Sequence, residues 1–215
     1  MLAVAADPNA AFGDFGRALD LIGIFVFAIS GAVLAVRKGF ELVGIVSLAL
    51  VTALGGGIVR DVVLGDLPPT AFRDVWYLVV PITAAAIVFV AHRPIERWLE
   101  RPVLIFDAFG LGLFCVAGAL KAEAFGTTAI GAVLLAVVTA TGGGVVRDVL
   151  ANDPPQIFHP ESRLYAIPAT LGGVVVVVAL RNGAPEEAVA PAVAVGVSAI
   201  RLAALRYGWR APKPL

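Results

Sequence analysis

The sequence predicts an all-α integral membrane protein of seven transmembrane helices: two inverted three-helix repeats plus a seventh helix, with the second and fifth helices kinked. Three observations predict it. Of the 215 residues, 60% are hydrophobic and only 15% charged, with a mean hydropathy of +0.93; soluble domains run nearer half apolar and a quarter charged. Seven apolar segments follow one another, each near the roughly 20 residues that a bilayer core requires. Finally, Gly55-Gly56-Gly57-Ile58-Val59-Arg60-Asp61 recurs 87 residues later as Gly142-Gly143-Gly144-Val145-Val146-Arg147-Asp148.

In chain order, the segments are Ala18–Val36, Leu42–Leu64, Val75–Ala91, Val103–Leu120, Ala129–Ala151, Leu164–Leu180 and Ala188–Leu205. All read as helices, because an apolar run of this length must satisfy its backbone internally. Short loops punctuated by proline, glycine and charge separate them, as in Asp66-Leu67-Pro68-Pro69 and Asp153-Pro154-Pro155. Met1–Asp14 lacks a basic n-region and turns acidic at Asp7 and Asp14, so it reads as a tail outside the membrane rather than a cleavable leader. The expected divisions are a tail over 1–14, repeats over 15–100 and 101–182, a seventh helix over 183–206 and a tail over 207–215. The last of these is basic and aromatic (Arg206, Tyr207, Trp209, Arg210, Lys213) and suits an interface anchor.

The repeat extends well beyond the glycines. At an offset of 87, 24 of the 62 positions from 20 to 81 are identical without a gap, including Asp20/Asp107, Gly31/Gly118, Thr52/Thr139, Asp66/Asp153 and Pro81/Pro168. Chance likeness of apolar helices would match Val, Leu and Ala, not Gly, Pro, Arg and Asp in register. Three helices per unit is an odd number, so the second unit enters the membrane from the opposite side and the repeat is inverted. Arg37, Lys38, Arg93, Arg97, Arg101, Arg163, Arg206, Arg210 and Lys213 fall on one side, against Arg17, Arg73, Lys121 and Arg181 on the other. The excess of basic residues places the N-terminus outside and the C-terminus in the cytoplasm.

Three glycines inside a helix disfavour it by roughly 1 kcal/mol each against alanine. A repeated triplet followed by Arg-Asp therefore reads as a functional break, at which unwound carbonyls ligate a partly dehydrated potassium or sodium ion; the alternative is close helix packing. Gly31 and Gly172-Gly173 are read as packing glycines. Inverted topology brings Asp20 and Arg60 to one depth on the outer side, and Asp107 and Arg147 to one depth on the inner side. Two symmetry-related ion pairs follow as an expectation, with local pairing of Arg60 to Asp61 as the alternative; Asp148 stands in the equivalent place beside Arg147. Lys121, at the outer end of the fourth helix, either snorkels to the interface or guards the outer mouth. Ser30, Thr52 and Thr139 are hydroxyls within the candidate path, the two threonines one turn before their triplets and placed to offer oxygen to water or an ion. Arg201 in the seventh helix is expected to snorkel to the cytoplasmic face, and Cys115 to pack in the core. His92 and His159 lack a second nitrogen or sulfur ligand at useful spacing, so no zinc-type metal site and no cofactor is expected. No Ser/His or Cys/His pair shares a plausible depth, which argues against an intramembrane enzyme. The zero formal net charge gives no global field for nucleic acid.

The doubled Gly-Gly-Gly-x-x-Arg-Asp in a seven-helix chain resembles the prokaryotic trimeric intracellular cation (TRIC) channel family and the related bacterial membrane proteins described as glycine transporter-like. The resemblance spans about Asp14 to Arg206. It implies a symmetric homotrimer in the plasma (inner) membrane of a bacterium or archaeon, in contact with membrane lipids. It also implies an hourglass pore in each protomer, bends at Gly55–Gly57 and Gly142–Gly144, and passage of potassium and sodium through the first, second, fourth and fifth helices. A secondary transporter of a small amino acid such as glycine is the other reading, since inverted repeats with broken helices also build carriers.

Overall fold

The computed structural model describes residues 8–95, 100–158 and 163–210. The side chains of His92, Arg93, Arg97, Arg101, His159 and Lys213, together with residues 1–7 and 211–215, lie outside the described residues. Among the described residues eight helices follow in order: α1 (Pro8–Arg37), α2 (Leu42–Leu64), the single turn α3 (Thr70–Arg73), α4 (Trp76–Ile95), α5 (Glu100–Ala124), α6 (Ala129–Leu150), α7 (Ala166–Arg181) and α8 (Glu186–Tyr207). Parts or all of α1, α2, α5, α6 and α8 are long and apolar enough to cross a membrane; Trp76–Ala91 of α4 and α7 are shorter apolar helices. The seven expected segments thus appear as five long helices and two shorter ones, with α3 in the Asp66–Val75 loop.

Alpha-helices 1, 2, 5 and 6 form the centre. In the first unit α4 packs on α1 and α2; in the second α7 packs on α5 and α6; α8 lies against α5 and α7 and has no counterpart in the first unit. Reciprocal contacts reveal the two-fold relation. Phe27 of α1 and Phe114 of α5, equivalent positions of the repeat, meet edge to face with ring centroids 5.1 Å apart. Phe114 lies over Gly23, and Phe27 over the equivalent Gly110. Aromatic rings fit there because both partners lack a Cβ.

Matching turns end α2 and α6. Gly65 (φ 74) and Asn152 (φ 57) occupy the same place in the repeat, both left-handed, a conformation that Gly adopts freely and Asn tolerates. Asp66 N–H then donates to Asp61 O, and Asp153 N–H to Asp148 O, each at 2.9 Å, so an acid follows each helix end. The described part of the expected tail, residues 8–14, is helical on either side of one break. Alpha-helix 1 begins at Pro8, breaks at Gly13 (φ 62, ψ −178), and buries Phe12. Around the bundle, apolar side chains face outward, among them Val90 (80% exposed), Val43 (76%) and Ile130 (75%). Exposed apolar side chains recur along α2, α4 and α6, and in a bilayer they form the lipid- or partner-facing surface.

Candidate functional site

Two buried charge clusters sit on either side of the point where α2 and α6 cross. In the first, α1 supplies Asp20 and the last turns of α2 supply Arg60 and Asp61. Arg60 donates through Nη1 and Nη2 to Asp20 Oδ1 and Oδ2 at 3.1 and 3.0 Å, and through Nε to Asp61 Oδ1 at 2.9 Å. The long-range pair and the local pair weighed as alternatives are therefore both made. Tyr77 of α4 donates its hydroxyl to Asp20 Oδ2 at 3.2 Å. Asp61 also accepts from Lys121 Nζ of α5 at 2.8 Å and from the Thr70 backbone N–H at 2.9 Å. Lys121 reaches Asp66 at 2.7 Å as well, and Arg73 pairs with Asp66. The Phe12 ring lies 5.9 Å from the Arg60 guanidinium and 5.7 Å from the Lys121 ammonium, in cation–π range. A small cleft lined by Asp20, Gly57, Arg60, Asp61, Tyr77 and Phe114, among others, lies beside this cluster.

Lys121 does not snorkel. At 1% exposure it joins two carboxylates, because it sits one turn earlier than the repeat-equivalent of Lys38. Lys38 makes the matching contact in the other unit, to Asp153 at 2.5 Å, but at the surface.

The second cluster repeats the plan with different detail. Arg147 donates through Nη1 to Asp107 Oδ1 at 2.8 Å, through Nε to Asp148 Oδ1 at 2.9 Å, and through Nη1 to Ser30 Oγ at 2.6 Å. Ser30 in turn donates to Val103 O at 3.1 Å. Its repeat-equivalent is Ala117, so the first cluster has nothing like it. Tyr165 donates to Asp107 Oδ1 at 3.3 Å and the Gln156 N–H to Asp148 Oδ2 at 3.1 Å. Ser30 is ten residues from Asp20 along α1, so the clusters stand about 15 Å apart at 1.5 Å per residue.

Arg201 corrects the sequence expectation. It does not snorkel: it is fully buried, donates through Nη1 to the carbonyls of Arg163 and Leu164 at 2.9 Å, and lies 4.7 Å from the Tyr165 ring centroid. The loop carbonyls ahead of α7 and the face of Tyr165 take up its guanidinium, so that its buried Nη1 group finds acceptors inside the bundle.

The glycine triplets correct a second expectation. Alpha-helices 2 and 6 run through Gly55–Gly57 and Gly142–Gly144 without interruption, so no unwound backbone turns its carbonyls to a lumen there. The triplets are where the two helices touch. The space for a Cβ on Gly56 is filled by the Thr139 carbonyl, and that on Gly143 by the Thr52 carbonyl. A Cβ on Gly142 would lie 3.2 Å from Gly56 Cα, and one on Gly144 2.5 Å from the Tyr165 hydroxyl. Gly55 and Gly57 are roomier, with nearest atoms at 3.7 Å. Thr52 and Thr139 are buried and back-bonded, donating to Leu48 O at 2.5 Å and Leu135 O at 2.6 Å. Each hydroxyl also packs against Gly31 or Gly118. Cys115 is buried and donates to Ala169 O.

Asp20, Arg60, Asp61 and Lys121 thus converge on one cluster, and Asp107, Arg147, Asp148 and Ser30 on the other. Residues that the sequence reading did not assign to a site are Phe12, Asp66, Thr70, Tyr77, Gln156, Tyr165 and Arg201. Asp66 carried a signal, as one of the acids matched in the repeat. Tyr77 and Tyr165 did not, because they stand one residue off the 87-residue register although both bond the equivalent aspartate. Chemically, each cluster is a pair of carboxylates bridged by an arginine in a low-dielectric setting, where breaking a pair costs about 3–5 kcal/mol.

Comparison with known proteins agrees with the repeat. The family model described as glycine transporter matches twice, over residues 17–93 and 104–181, starting points 87 residues apart. The chain is 42% identical over 154 residues to a UPF0126 membrane protein of Deinococcus radiodurans, covering 72% of this chain and 71% of that one. It is 35% identical to the UPF0126 inner membrane protein YadS of Escherichia coli, covering 90% and 93%. A solved structure of the TRIC trimeric intracellular cation channel orthologue from Rhodobacter sphaeroides superposes with a TM-score of 0.83 and 36% identity, over 90% of this chain and 98% of that one.

Proposed function

The chain belongs to the glycine transporter family, and from that membership and the geometry of its two clusters we propose that it is a monovalent cation channel, not an enzyme, with one path through each protomer. The observation that carries this reading is the likeness to the Rhodobacter cation channel along nearly its whole length. The path runs between α1, α2, α5 and α6, past the two clusters and the crossing at Gly56 and Gly143. Potassium and sodium are the cargo. In the arrangement described here, the arginines neutralise the acids and the path is closed. Moving Arg60 or Arg147 aside leaves Asp20 and Asp61, or Asp107 and Asp148, to replace part of a cation's hydration shell.

The protein stands in the inner membrane with its N-terminus outside and its C-terminus in the cytoplasm, by the excess of basic residues on one side. The Arg60 cluster then forms the outer mouth and the Arg147 cluster the inner one. Three copies assemble as in the trimeric Rhodobacter protein, with lipids on the remaining apolar faces. Reconstitution into planar bilayers in potassium chloride tests the reading: discrete current steps are expected. A carrier of glycine is the second reading, favoured by the family's description. Absent steps together with saturable, ion-coupled glycine uptake would establish it in place of the channel.

A further inference from the structure

Among the described residues, α8 is the membrane-length helix that lies outside the repeat, and it places a buried cation beside the Arg147 cluster. Its seat is tight: a Cβ on Gly112 of α5 would collide with the Ala194 carbonyl and the Ser198 hydroxyl of α8. Arg201 follows one turn after Ser198. Its guanidinium has three attachments. Nη1 holds the Arg163 and Leu164 carbonyls, Nη2 donates to Gln156 Oε1 at 3.3 Å, and the plane covers the Tyr165 ring. Gln156 and Tyr165 are the residues that donate to Asp148 and Asp107. Among the described residues Arg201 therefore hydrogen-bonds neither acid, yet holds both of their outer partners.

The two clusters differ in how fully they are tied. Asp20 has both oxygens engaged. Asp107 Oδ2 and Arg201 Nε are buried without a hydrogen-bond partner among the described residues. A cluster with an unengaged carboxylate oxygen depends more on how its remaining partners are held. In the first cluster the second buried cation, Lys121, bonds the acids directly. In the second cluster that cation comes from outside the repeat and acts through neighbours.

We infer that Arg201 is a positioning residue for the inner mouth: through Tyr165 and Gln156 it holds Asp107 and Asp148 in the arrangement that keeps Arg147 bridging, so that α8 governs how readily this mouth opens. This rests on the channel reading. Removing one such charged anchor shifts an equilibrium by about tenfold or more.

The test compares wild type, Arg201→Met and Arg201→Lys in planar bilayers. Arg201→Met is expected to raise open probability about tenfold with unitary conductance unchanged, and Arg201→Lys to lie between. Adding Tyr165→Phe to Arg201→Met is expected to change little, since both act on one link. If Arg201 only supports the fold, fewer channels appear and the open probability of those present stays at the wild-type value; that result overturns the inference. A second readout needs no current. Ser30→Cys, at the cluster itself, is treated with a small charged thiol reagent in vesicles, with the parent carrying Cys115 as control. Arg201→Met is expected to speed its modification about tenfold, and Arg201→Lys less; unchanged rates overturn the inference. Wild type without current steps but with this acceleration overturns the channel reading alone.

Discussion

A single methyl group, moved along one triplet, separates the two roles that glycine can play in α2. Gly56→Ala places a Cβ against the Thr139 carbonyl, with the carbonyl carbon at 3.0 Å and Cα at 3.2 Å. These are backbone atoms of α6, so no rotamer change relieves the contact and the helices must part. Overpacking costs about 3 kcal/mol at the upper end of its usual range. Alanine returns about 1 kcal/mol of helix propensity. The net loss is about 2 kcal/mol, or about 4–8 °C in Tm for a chain of this size. Gly55→Ala meets nothing closer than Gly143 Cα at 3.7 Å, an ordinary contact, so it keeps the propensity gain and raises Tm by about 2–4 °C. Gly143→Ala should follow Gly56→Ala, and Gly57→Ala should follow Gly55→Ala. Thermal unfolding of the four purified variants in one detergent checks this. If Gly55→Ala and Gly57→Ala damage the protein as much as Gly56→Ala does, the triplet serves backbone flexibility and the packing argument is wrong.

Other outcomes follow from the clusters. Asp20→Asn leaves Arg60 short of a buried counter-charge and should destabilise by about 3–5 kcal/mol; exchanging the charges in Asp20→Arg with Arg60→Asp should recover part of that, and a melt showing no recovery refutes the long-range pairing. Lys121→Met should lower Tm far more than Lys38→Ala, because Lys121 is a buried link between two acids while the half-exposed Lys38–Asp153 pair contributes under about 1 kcal/mol. Asp74, between α3 and α4, is held below its ordinary pKa of 3.8 chiefly by the hydrogen bond from Arg17. Its contribution is complete above that pH and fades as pH falls through the lowered value; Asp74→Asn should flatten this part of the acid unfolding curve and leave stability at neutral pH within about 1 kcal/mol.

Much of the architecture was legible in the residues, for definable reasons. Apolar runs of bilayer length leave a chain little choice but helix, so each of the seven segments is helical, although α1 starts at Pro8, ahead of the expected Ala18. Consecutive membrane helices run antiparallel, which brings Asp20 level with Arg60 and Asp107 level with Arg147, and the odd-numbered repeat inverts, which sets the two pairs on opposite sides; no side-chain geometry is needed for that. What a glycine does is a different kind of question. Gly55, Gly56 and Gly57 are identical letters, and only the position of Thr139 across the crossing distinguishes the tight one from the roomy ones. The expected unwinding failed for this reason: propensity measures what a helix loses at glycine, whereas packing between α2 and α6 restores it. Arg201 and Lys121 make the same point for charge. Along the chain each sits where an exposed end is near, but tertiary contacts supplied buried carbonyls to one and buried carboxylates to the other. Composition, periodicity and the repeat determined the membrane fold and its paired charges, because those depend on sequence spacing. Which glycines touch, which cations are buried, and how α8 reaches the second cluster were decided only by the packed bundle, because each depends on atoms far away along the chain.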